Sequence, residues 1–313
     1  MIIPDFLILD KTGLYCSVGN FYLDPQEPVQ TAVISHAHGD HAVRGNERVY
    51  CTAATAAIME LRYKKNASAE FRLYSYNQSF DVGGVKIRFI PAGHILGSAQ
   101  VLMEYKNVRY LYTGDYKLQD DNTCEPIEFI EADVLITETT FADPQVQHPD
   151  PVSEIKKLNE SNHNVLLGTY SLGKAQRLIN LITAHCPNRK VLVHFGILPI
   201  NHIYEKYGFK PGVYEPYNRK LMKQPGMGFV YLVPPMTFDS YFRAKNVMRA
   251  FASGWKQLQR HNDFELLISD HVDWDDILEM IGMVKPTEIW TIHGDGKYLK
   301  EYFKDQIPIK ILN

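Results

Sequence analysis

A seven-residue segment with three histidines and one aspartate constrains this chain more than any other feature. The segment at 35–41 reads SHAHGDH and follows a short apolar stretch that predicts a strand. His36 and His38 are two residues apart, so in extended backbone both side chains lie on one side and can bind one metal ion. Asp40 and His41 come after the chain has turned, where they can bind a second ion. Imidazole nitrogen and carboxylate oxygen are typical zinc ligands, so the segment predicts a zinc site at the end of a strand.

Three more candidate ligands lie elsewhere in the chain. His94, Asp115 and His293 each follow a predicted strand, near residues 92, 113 and 292. Any one of them alone is also compatible with a buried, hydrogen-bonded side chain. Together with the first segment they supply enough ligands for two ions that share one carboxylate. The predicted metal ligands are therefore His36, His38, Asp40, His41, His94, Asp115 and His293.

The charges of the chain are segregated along its length. Lys and Arg number 33 and Asp and Glu 36, a net charge of −3. Residues 166–262 nevertheless hold 14 of these bases and three of these acids, which leaves 19 bases and 33 acids in the rest. Asymmetry of this size indicates a module that binds a polyanion. The alternative is a basic surface that only aids solubility.

Composition excludes several other classes of protein. Hydrophobic residues make up 45% and charged residues 22% of the chain, as in ordinary globular proteins. The four cysteines lie far apart without a CxxC pair, which favours reduced thiols in a cytoplasmic protein. No signal peptide or membrane span is expected, because the first residues and all apolar runs lack the required pattern.

Hydrophobic patterning divides the chain into three segments. The first half predicts strands at 32–35, 85–90, 100–105, 108–112 and 134–137, a hairpin turn at 81–84 and a helix at 53–63. The basic segment alternates strands and helices, as in a small parallel α/β unit, at 164–168, 173–184, 190–194, 200–207 and 229–233. The last part predicts a strand, a helix and a strand at 265–269, 274–283 and 288–292. We expect one domain formed by 1–165 and 263–313, with 166–262 inserted into it.

These motifs resemble those of metallo-β-lactamase-fold nucleases of the β-CASP group, which includes RNase J and the cleavage-and-polyadenylation endonuclease. Residues 36–41 are similar to the HxHxDH motif of that fold, and His94 and Asp115 to its next two ligand motifs. The resemblance spans essentially the whole chain. GLYC at 13–16 and GTYSLGKAQR at 168–177 are most similar to bacterial ligase-associated DNA exonucleases, also labelled mRNA 3′-end processing factors. The resemblance implies an α/β fold class, namely a metallo-β-lactamase αββα sandwich with a small inserted parallel α/β domain of the β-CASP type.

The resemblance also implies roles for individual residues. Asp24 is similar to an acid that supports the metal ligands, although a turn aspartate before proline is an alternative. Glu138 and His271 match two β-CASP motifs, and His293 matches the third. One zinc ion is expected on His36, His38, His94 and Asp115, and a second on Asp40, His41, Asp115 and His293, with manganese as an alternative metal. The expected catalytic residues are Asp40, Glu138 and His271.

Within that mechanism, water activated by the two ions attacks phosphorus. His271, oriented by Glu138, is expected to donate a proton to the departing oxygen. The alternative for His271 is a structural role as the cap of the helix at Trp274. The chemistry so described is the hydrolysis of a phosphodiester bond.

Basic and aromatic residues of the inserted segment are candidates for substrate binding. Lys174 and Arg177 lie one turn apart near the start of a predicted helix, where they are expected to bind backbone phosphates. A solvated helix face is the alternative for both. Four aromatic residues are candidates to stack on the bases of a single strand, although core packing is an alternative for each: Tyr170, Tyr241, Phe242 and Trp255.

The expected function is nucleic-acid hydrolysis. The subgroup resemblance favours DNA over RNA and an exonuclease that acts in DNA repair beside a DNA ligase and a helicase. RNA processing is the alternative, but the insert is about half the length usual in RNA-processing members. A small-molecule metallohydrolase, such as a thioesterase or lactonase, would share the ligands but has no use for a basic insert. A scaffold that had lost catalysis would be expected to lack ligands, and here none of the expected ligands is lost.

Overall fold

The computed structural model describes residues 1–241 and 246–312, which form two compact units. Unit 1 comprises residues 1–120, 124–147 and 271–312. Unit 2 comprises residues 121–123, 148–241 and 246–270. None of the helices in these ranges is both long enough and apolar enough to cross a membrane.

Strands dominate unit 1, whereas strands and helices alternate in unit 2. The strands are β1 Leu7–Leu9, β2 Leu14–Cys16, β3 Phe21–Leu23, β4 Thr31–Val33, β5 Asn46–Cys51, β6 Ser68–Leu73, β7 Ser79–Val82, β8 Val85–Pro91, β9 Ala99–Tyr105, β10 Val108–Tyr112, β11 Val134–Glu138, β12 Asn164–Gly168, β13 Lys190–Val193, β14 Glu215–Pro216, β15 Phe229–Val233, β16 Val247–Phe251, β17 Glu288–Ile292 and β18 Ile309–Ile311. The α-helices are α1 Ala53–Tyr63, α2 Pro151–Lys156, α3 Lys174–His185, α4 Leu198–Lys206, α5 Arg219–Met222, α6 Pro235–Ser240, α7 Trp274–Val284 and α8 Lys297–Tyr302. Short 3₁₀ helices lie at Lys64–Asn66, Lys157–Glu160 and Lys256–Gln259.

Two sheets face each other in unit 1. The first has six strands in the order β1-β2-β3-β4-β5-β6, and the second has seven in the order β18-β17-β11-β10-β9-β8-β7. Successive side chains of a strand point to opposite faces. Tyr110 and Tyr112 of β10 therefore pack with Phe21 and Leu23 of β3 in the core between the sheets, while Leu111 faces the other way.

Helices cover the outer faces of these sheets. Met59 of α1 packs with Ile34 and Val49 on the outside of the first sheet. Ile277 and Met280 of α7 pack against the second sheet in the cluster that contains Leu111. The layers run helix, sheet, sheet, helix, which confirms the predicted αββα sandwich.

Unit 2 is a parallel α/β unit. Its sheet has five strands in the order β14-β13-β15-β12-β16, and every neighbouring pair is parallel. Leu178 and Ile182 of α3 pack on one face of the sheet, and Phe238 of α6 packs on the other. Because all strands run in one direction, the loops that leave their carboxyl ends lie along a single edge. The predicted small parallel α/β unit is confirmed.

Unit 2 extends beyond the expected segment 166–262 at both ends. Ile155 and Leu158, which precede that segment, and Leu266 and Ile268, which follow it, are buried in the core of unit 2. Charge composition located the basic residues of the unit, but its core also includes apolar residues outside the basic stretch.

Most predicted elements of unit 1 match the structure, including the hairpin between β7 and β8. There Val82 pairs with Val85 across Gly83 and Gly84, whose φ angles of 61° and 83° lie in the region favoured by glycine.

The strand predicted at 265–269, which lies in unit 2, is wrong: only Leu266 forms an isolated bridge there.

Side chains supply backbone partners in this segment: the Leu267 nitrogen donates to the carboxylate of Glu154 at 2.8 Å, and Leu266 bonds to a glutamine. The amide of Gln259 accepts a hydrogen bond from the Leu266 nitrogen at 3.1 Å and donates to the Leu266 carbonyl at 3.4 Å. A buried glutamine thereby satisfies the backbone of this segment.

Candidate metal centre

Three loops that leave strand ends of unit 1 bring four potential metal ligands together. The loop after β4 carries His36 and His38, the loop after β8 carries His94, and the loop after β10 carries Asp115. Each residue offers one ligand atom, and these atoms all lie within 4.8 Å of one another. We call this set the four-ligand cluster.

The four-ligand cluster has the chemistry of a divalent-metal site. His38 Nδ1 lies 3.1 Å from His36 Nε2 and 3.0 Å from His94 Nε2. Asp115 Oδ2 lies 3.5 Å from His36 Nε2 and 3.8 Å from His94 Nε2. Three imidazoles and one carboxylate around a common point fit a zinc ion, because one cation can accept a lone pair from each.

A glycine allows the loop that carries Asp115 to approach the histidine segment. Gly114 has a φ of +55°, a conformation that side chains rarely adopt. A Cβ at this position would lie 2.8 Å from the side chain of Ser35. The close approach of the two loops therefore requires glycine immediately before Asp115.

Asp24 holds the histidine segment from the side away from the ligand atoms. Its carboxylate accepts hydrogen bonds from the Ser35 nitrogen at 2.7 Å, the Ser35 hydroxyl at 2.5 Å and the Tyr112 hydroxyl at 3.0 Å. His41 Nδ1 lies 2.9 Å from the same carboxylate, and His36 Nδ1 lies 2.9 Å from the Ser35 hydroxyl.

These contacts determine which nitrogen of each ring carries the proton. A carboxylate can only accept, so His41 Nδ1 must donate to Asp24. The Ser35 hydroxyl gives its hydrogen to Asp24 and therefore accepts from His36 Nδ1. The His36 ring then presents Nε2 without a proton, the form that binds a metal. Burial alone would lower the pKa of His41, but Asp115 and Asp24 outweigh it and raise that pKa well above its usual value, so His41 must release its Nε2 proton to bind a metal. Asp24 lies next to the metal ligands rather than in an unrelated turn.

The surroundings of the site favour the charged form of the Asp115 carboxylate and the neutral form of the His94 imidazole. Burial alone would raise the pKa of Asp115, but His41 and His271 outweigh it and hold that pKa well below its usual value. Burial, with His36 and His38 nearby, lowers the pKa of His94 well below its usual value. A neutral imidazole and an ionised carboxylate are the forms that ligate metals.

The second predicted ligand set is more open than the first. His41 Nε2 lies 3.4 Å from Asp115 Oδ2, on the side opposite Asp24. The ring of His293 lies 5.3 Å from that of His41 between centroids, and its φ of 57° is unusual for a residue other than glycine. Asp40 lies 4.0 Å from His41 Nε2 and its side chain is 77% exposed. The structure therefore brings His41 close to Asp115 and to the ring of His293, with Asp40 at the solvent boundary.

Glu138 and His271 form a hydrogen-bonded pair beside the four-ligand cluster. His271 Nδ1 lies 2.9 Å from one carboxylate oxygen of Glu138 and 3.1 Å from the other. The carboxylate is buried and also accepts from the Thr140 hydroxyl at 2.7 Å and the Tyr116 nitrogen at 3.3 Å. His271 Nδ1 lies 4.0 Å from Asp115 Oδ2. The helix α7 is capped by Asp273, so the alternative of His271 as its cap does not apply.

Lys174 and Arg177 lie in the interior of unit 2 rather than on a solvated face. They are 3% and 1% exposed. Lys174 Nζ lies 3.1 Å from Asp270 Oδ1 and donates to the Ile268 carbonyl at 2.5 Å. Arg177 donates to the Ser269 carbonyl at 2.5 Å and to Asp270 at 3.2 Å. Because buried cations need partners, these bonds replace the predicted contact with backbone phosphates, and neither residue belongs to a substrate surface.

The aromatic candidates of the basic segment lie on the surface where the structure describes them. Tyr170, Tyr241 and Trp255 are exposed. Phe242 lies outside the described residues. Surface placement favours the predicted stacking role over core packing for the three described residues.

Several residues of the site were not identified from the sequence. Ser35, Tyr112 and Thr140 each hold an acidic residue or a ligand in place. Ser35 directly precedes the histidine segment, so its position beside the ligands was a usable signal. The partners of Tyr112 and Thr140 depend on how strands pair, which local sequence does not reveal.

A protein-family model described as a beta-lactamase superfamily domain matches residues 18–195. The chain belongs to this superfamily. The match includes the four-ligand cluster, Asp24 and Glu138. Family membership and the αββα sandwich agree with the resemblance that the motifs indicated.

Similar proteins are named as enzymes of nucleic acids. A probable DNA ligase from Opitutus terrae is 31% identical over 300 residues, which is 90% of this chain and 28% of the ligase. An RNase J-like protein from Methanocaldococcus jannaschii is 26% identical over 212 residues, 59% of this chain and 50% of that protein. A cleavage and polyadenylation specificity factor subunit 3 from Dictyostelium discoideum is 30% identical over 226 residues, 60% of this chain and 29% of that subunit.

The chain thus spans half or less of the length of these relatives. A solved structure, a protein of unknown function from Enterococcus faecalis V583, has a TM-score of 0.54 and 16% identity, and covers 90% of this chain and 79% of its own. At that identity the likeness concerns the fold alone.

Proposed function

We propose that this protein is a metal-dependent phosphodiesterase that hydrolyses nucleic acid, with two zinc ions as its cofactor. The observation that carries the proposal is the contact between the four-ligand cluster and the Glu138–His271 pair through Asp115. A metal site alone would fit many hydrolases of the superfamily. A histidine held by a buried carboxylate beside that site adds a group suited to proton transfer.

The residues of the site would divide the work in the following way. His36, His38, His94 and Asp115 would hold one ion, and His41, Asp115, His293 and Asp40 the other. Bound ions of this kind activate water and offset the negative charge that grows on phosphate oxygens. Asp24 keeps the rings of His36 and His41 in the tautomer that presents Nε2 to the centre.

His271 would supply the proton for the departing oxygen. Its Nδ1 is bound to Glu138, and Nε2 is the nitrogen that would donate this proton. A buried carboxylate stabilises the imidazolium form and fixes the plane of the ring. Proton donation from Nε2 returns the ring to its neutral form, and the departing oxygen leaves as a hydroxyl group.

The polymer that we propose is DNA, trimmed from an end during repair. The relative named as a probable DNA ligase, which aligns with 90% of this chain, supports DNA and a role beside a DNA ligase. A helicase is proposed as a further partner on the motif resemblance alone. RNA is the second candidate, and it is supported by relatives named as an RNase J-like protein and as a polyadenylation factor subunit. The net basic segment of unit 2 suits either polymer.

One experiment tests both the activity and the polymer. The full chain, loaded with zinc or with manganese, is incubated with end-labelled single-stranded DNA, duplex DNA and RNA of one sequence. Stepwise shortening of DNA from one end is expected, and cleavage confined to RNA would transfer the proposal to RNA processing. His38→Ala should reduce the rate by at least about 100-fold, since it removes a ligand whose replacement disrupts the centre.

His271→Gln provides a matched comparison. Glutamine keeps a polar side chain but cannot donate as an imidazolium, so turnover should fall by about 100- to 10,000-fold while bound metal is unchanged. Metal content measured by elemental analysis separates this variant from His38→Ala. Full activity in either variant, or no phosphodiester cleavage under any metal loading, would contradict the proposed function.

A further inference from the structure

The carboxyl edge of the sheet in unit 2 exposes large apolar side chains in an ordered way. Strands β13, β15, β12 and β16 are consecutive neighbours in the sheet. The segment that follows each of them exposes one such residue, in a loop for three strands and in α6 for β15: Phe195, Met236, Tyr170 and Trp255, respectively. Neighbouring strands lie about 4.8 Å apart, so these loops follow one another along the edge. Apolar surface exposed at one edge of a soluble protein often marks a binding site.

A cleft opens at this edge between the loops after β12, β15 and β16. Its volume is about 610 Å³, within the range of small-ligand sites. Tyr170 is 48% exposed at its mouth and meets the ring of Phe251 edge to face, with centroids 6.1 Å apart and planes at 89°. Phe238 meets Phe251 at 5.5 Å. The ring of Tyr170 thus has an aromatic neighbour on one side only in part, and about half of its surface stays exposed for stacking.

Cationic side chains line the same cleft. The guanidinium of Arg249 lies 4.4 Å above the ring of Phe238, which fixes its position. Arg260 and His261 also line the cleft and are exposed, and the acid Asp239 lines it too. An aromatic face with guanidinium groups around it matches a nucleotide, which presents a flat base and an anionic phosphate.

We propose that this cleft holds an unpaired nucleotide, with its base stacked on Tyr170 and its phosphate beside Arg249 and Arg260. The inference deepens the proposed function, on which the choice of polymer rests, by naming single-stranded nucleic acid as the form that unit 2 binds. Bases of a duplex are already stacked and paired, so only an unpaired base can insert beside Tyr170. The two basic residues expected from the sequence to bind phosphate are buried, and the arginines of this cleft take that role.

Binding without cleavage tests the proposal. The full chain in EDTA is titrated into a fluorescently labelled single-stranded oligodeoxynucleotide, the matching oligoribonucleotide and the corresponding DNA duplex, and anisotropy is recorded. Tyr170→Ala should weaken single-strand binding by about 5- to 150-fold, the usual effect of losing one stacked base. Tyr170→Phe keeps the ring and should bind within about 2-fold of the unmodified protein.

Tyr302→Ala is the matched control. Tyr302 is 53% exposed and also meets a neighbouring ring, that of Trp274, edge to face at 5.5 Å and 86°. It lies in unit 1, outside the cleft. Its replacement removes a tyrosine with the same exposure and the same kind of contact, and should leave binding unchanged.

The outcomes separate this inference from the proposed function. Equal binding by Tyr170→Ala and the unmodified protein, equal loss in Tyr302→Ala, or no single-strand binding at all would overturn the inference. Hydrolysis of bis(4-nitrophenyl) phosphate by the unmodified, metal-loaded protein is measured separately. Absence of that hydrolysis together with Tyr170-dependent binding would refute the phosphodiesterase and support the nucleotide site.

Discussion

Replacement of Arg177 by methionine tests whether the buried ion pairs of unit 2 stabilise it. Arg177 donates to the Ser269 carbonyl and to Asp270, and its Nε lies 3.7 Å from Asp121 Oδ2. Methionine fills a similar volume but leaves two buried carboxylates with one cationic partner fewer. Removal of one member of a buried ion pair typically costs about 3–5 kcal/mol, so Arg177→Met should destabilise unit 2 by about that amount.

Urea unfolding of the full chain measures this change. With a slope of roughly 1–3 kcal/mol per molar urea, the midpoint for unit 2 should fall by roughly 1–5 M. Fluorescence from Trp255 reports on unit 2, because the other two of the three tryptophans, Trp274 and Trp290, lie in unit 1. Lys206→Met, at the exposed end of α4, is the control and should change stability by less than about 0.5 kcal/mol.

Two results would refute the reasoning. If Arg177→Met is as stable as the unmodified protein, the guanidinium makes no net contribution to the free energy of unfolding. If, in addition, nucleic-acid binding by this fully stable variant depends less on salt, Arg177 has the phosphate-binding role that was predicted from the sequence.

Three further changes test other parts of the structure. Asp24→Asn cannot accept from both Ser35 and His41, so metal affinity in competition with a chromophoric chelator should fall about 10- to 100-fold, and unchanged affinity would contradict the network. Burial raises the pKa of Asp276 to about 6 from 3.8. The protonated carboxyl of Asp276 therefore makes its full contribution to the free energy of unfolding below pH 3.8, and this contribution is lost as pH rises through 6. After allowance for its partial exposure, Asp276→Asn should raise the free energy of unfolding by about 1 kcal/mol above pH 6 and by little below pH 3.8, as measured in thermal melts. Gly114→Ala should destabilise unit 1 by about 1–3 kcal/mol in the same melts, since both its φ and Ser35 oppose a side chain, and an unaltered melting temperature would show that the loop adapts.

The sequence was sufficient for the fold class, and it identified the four residues that the structure gathers into the four-ligand cluster, because both leave local signals. A strand followed by spaced histidines identifies a site without knowledge of its partners, and β10 is rich in aromatic and branched apolar residues. Strands of three residues, such as β1, β2 and β3, are too short for such a period, and their pairing depends on neighbours.

Long-range partners explain what could not be predicted. Arg177 and Asp270 are 93 residues apart in the chain, so nothing near Arg177 distinguishes a buried cation from an exposed one. Helical spacing placed Lys174 and Arg177 on one face correctly, but the face packs inward. The segment around Leu266 has strand composition, and only the position of Gln259 shows why it forms no ladder.

The parallel pairing of β11 with β17 has a consequence for synthesis on the ribosome. Residues 134–138 pair with 288–292, so β17, the second neighbour of β11, is translated only after all of unit 2 has been translated. At about 5–20 residues per second this delay lasts on the order of ten seconds. During that time the side of β11 that will pair with β17 is an open strand edge that a second nascent copy could occupy.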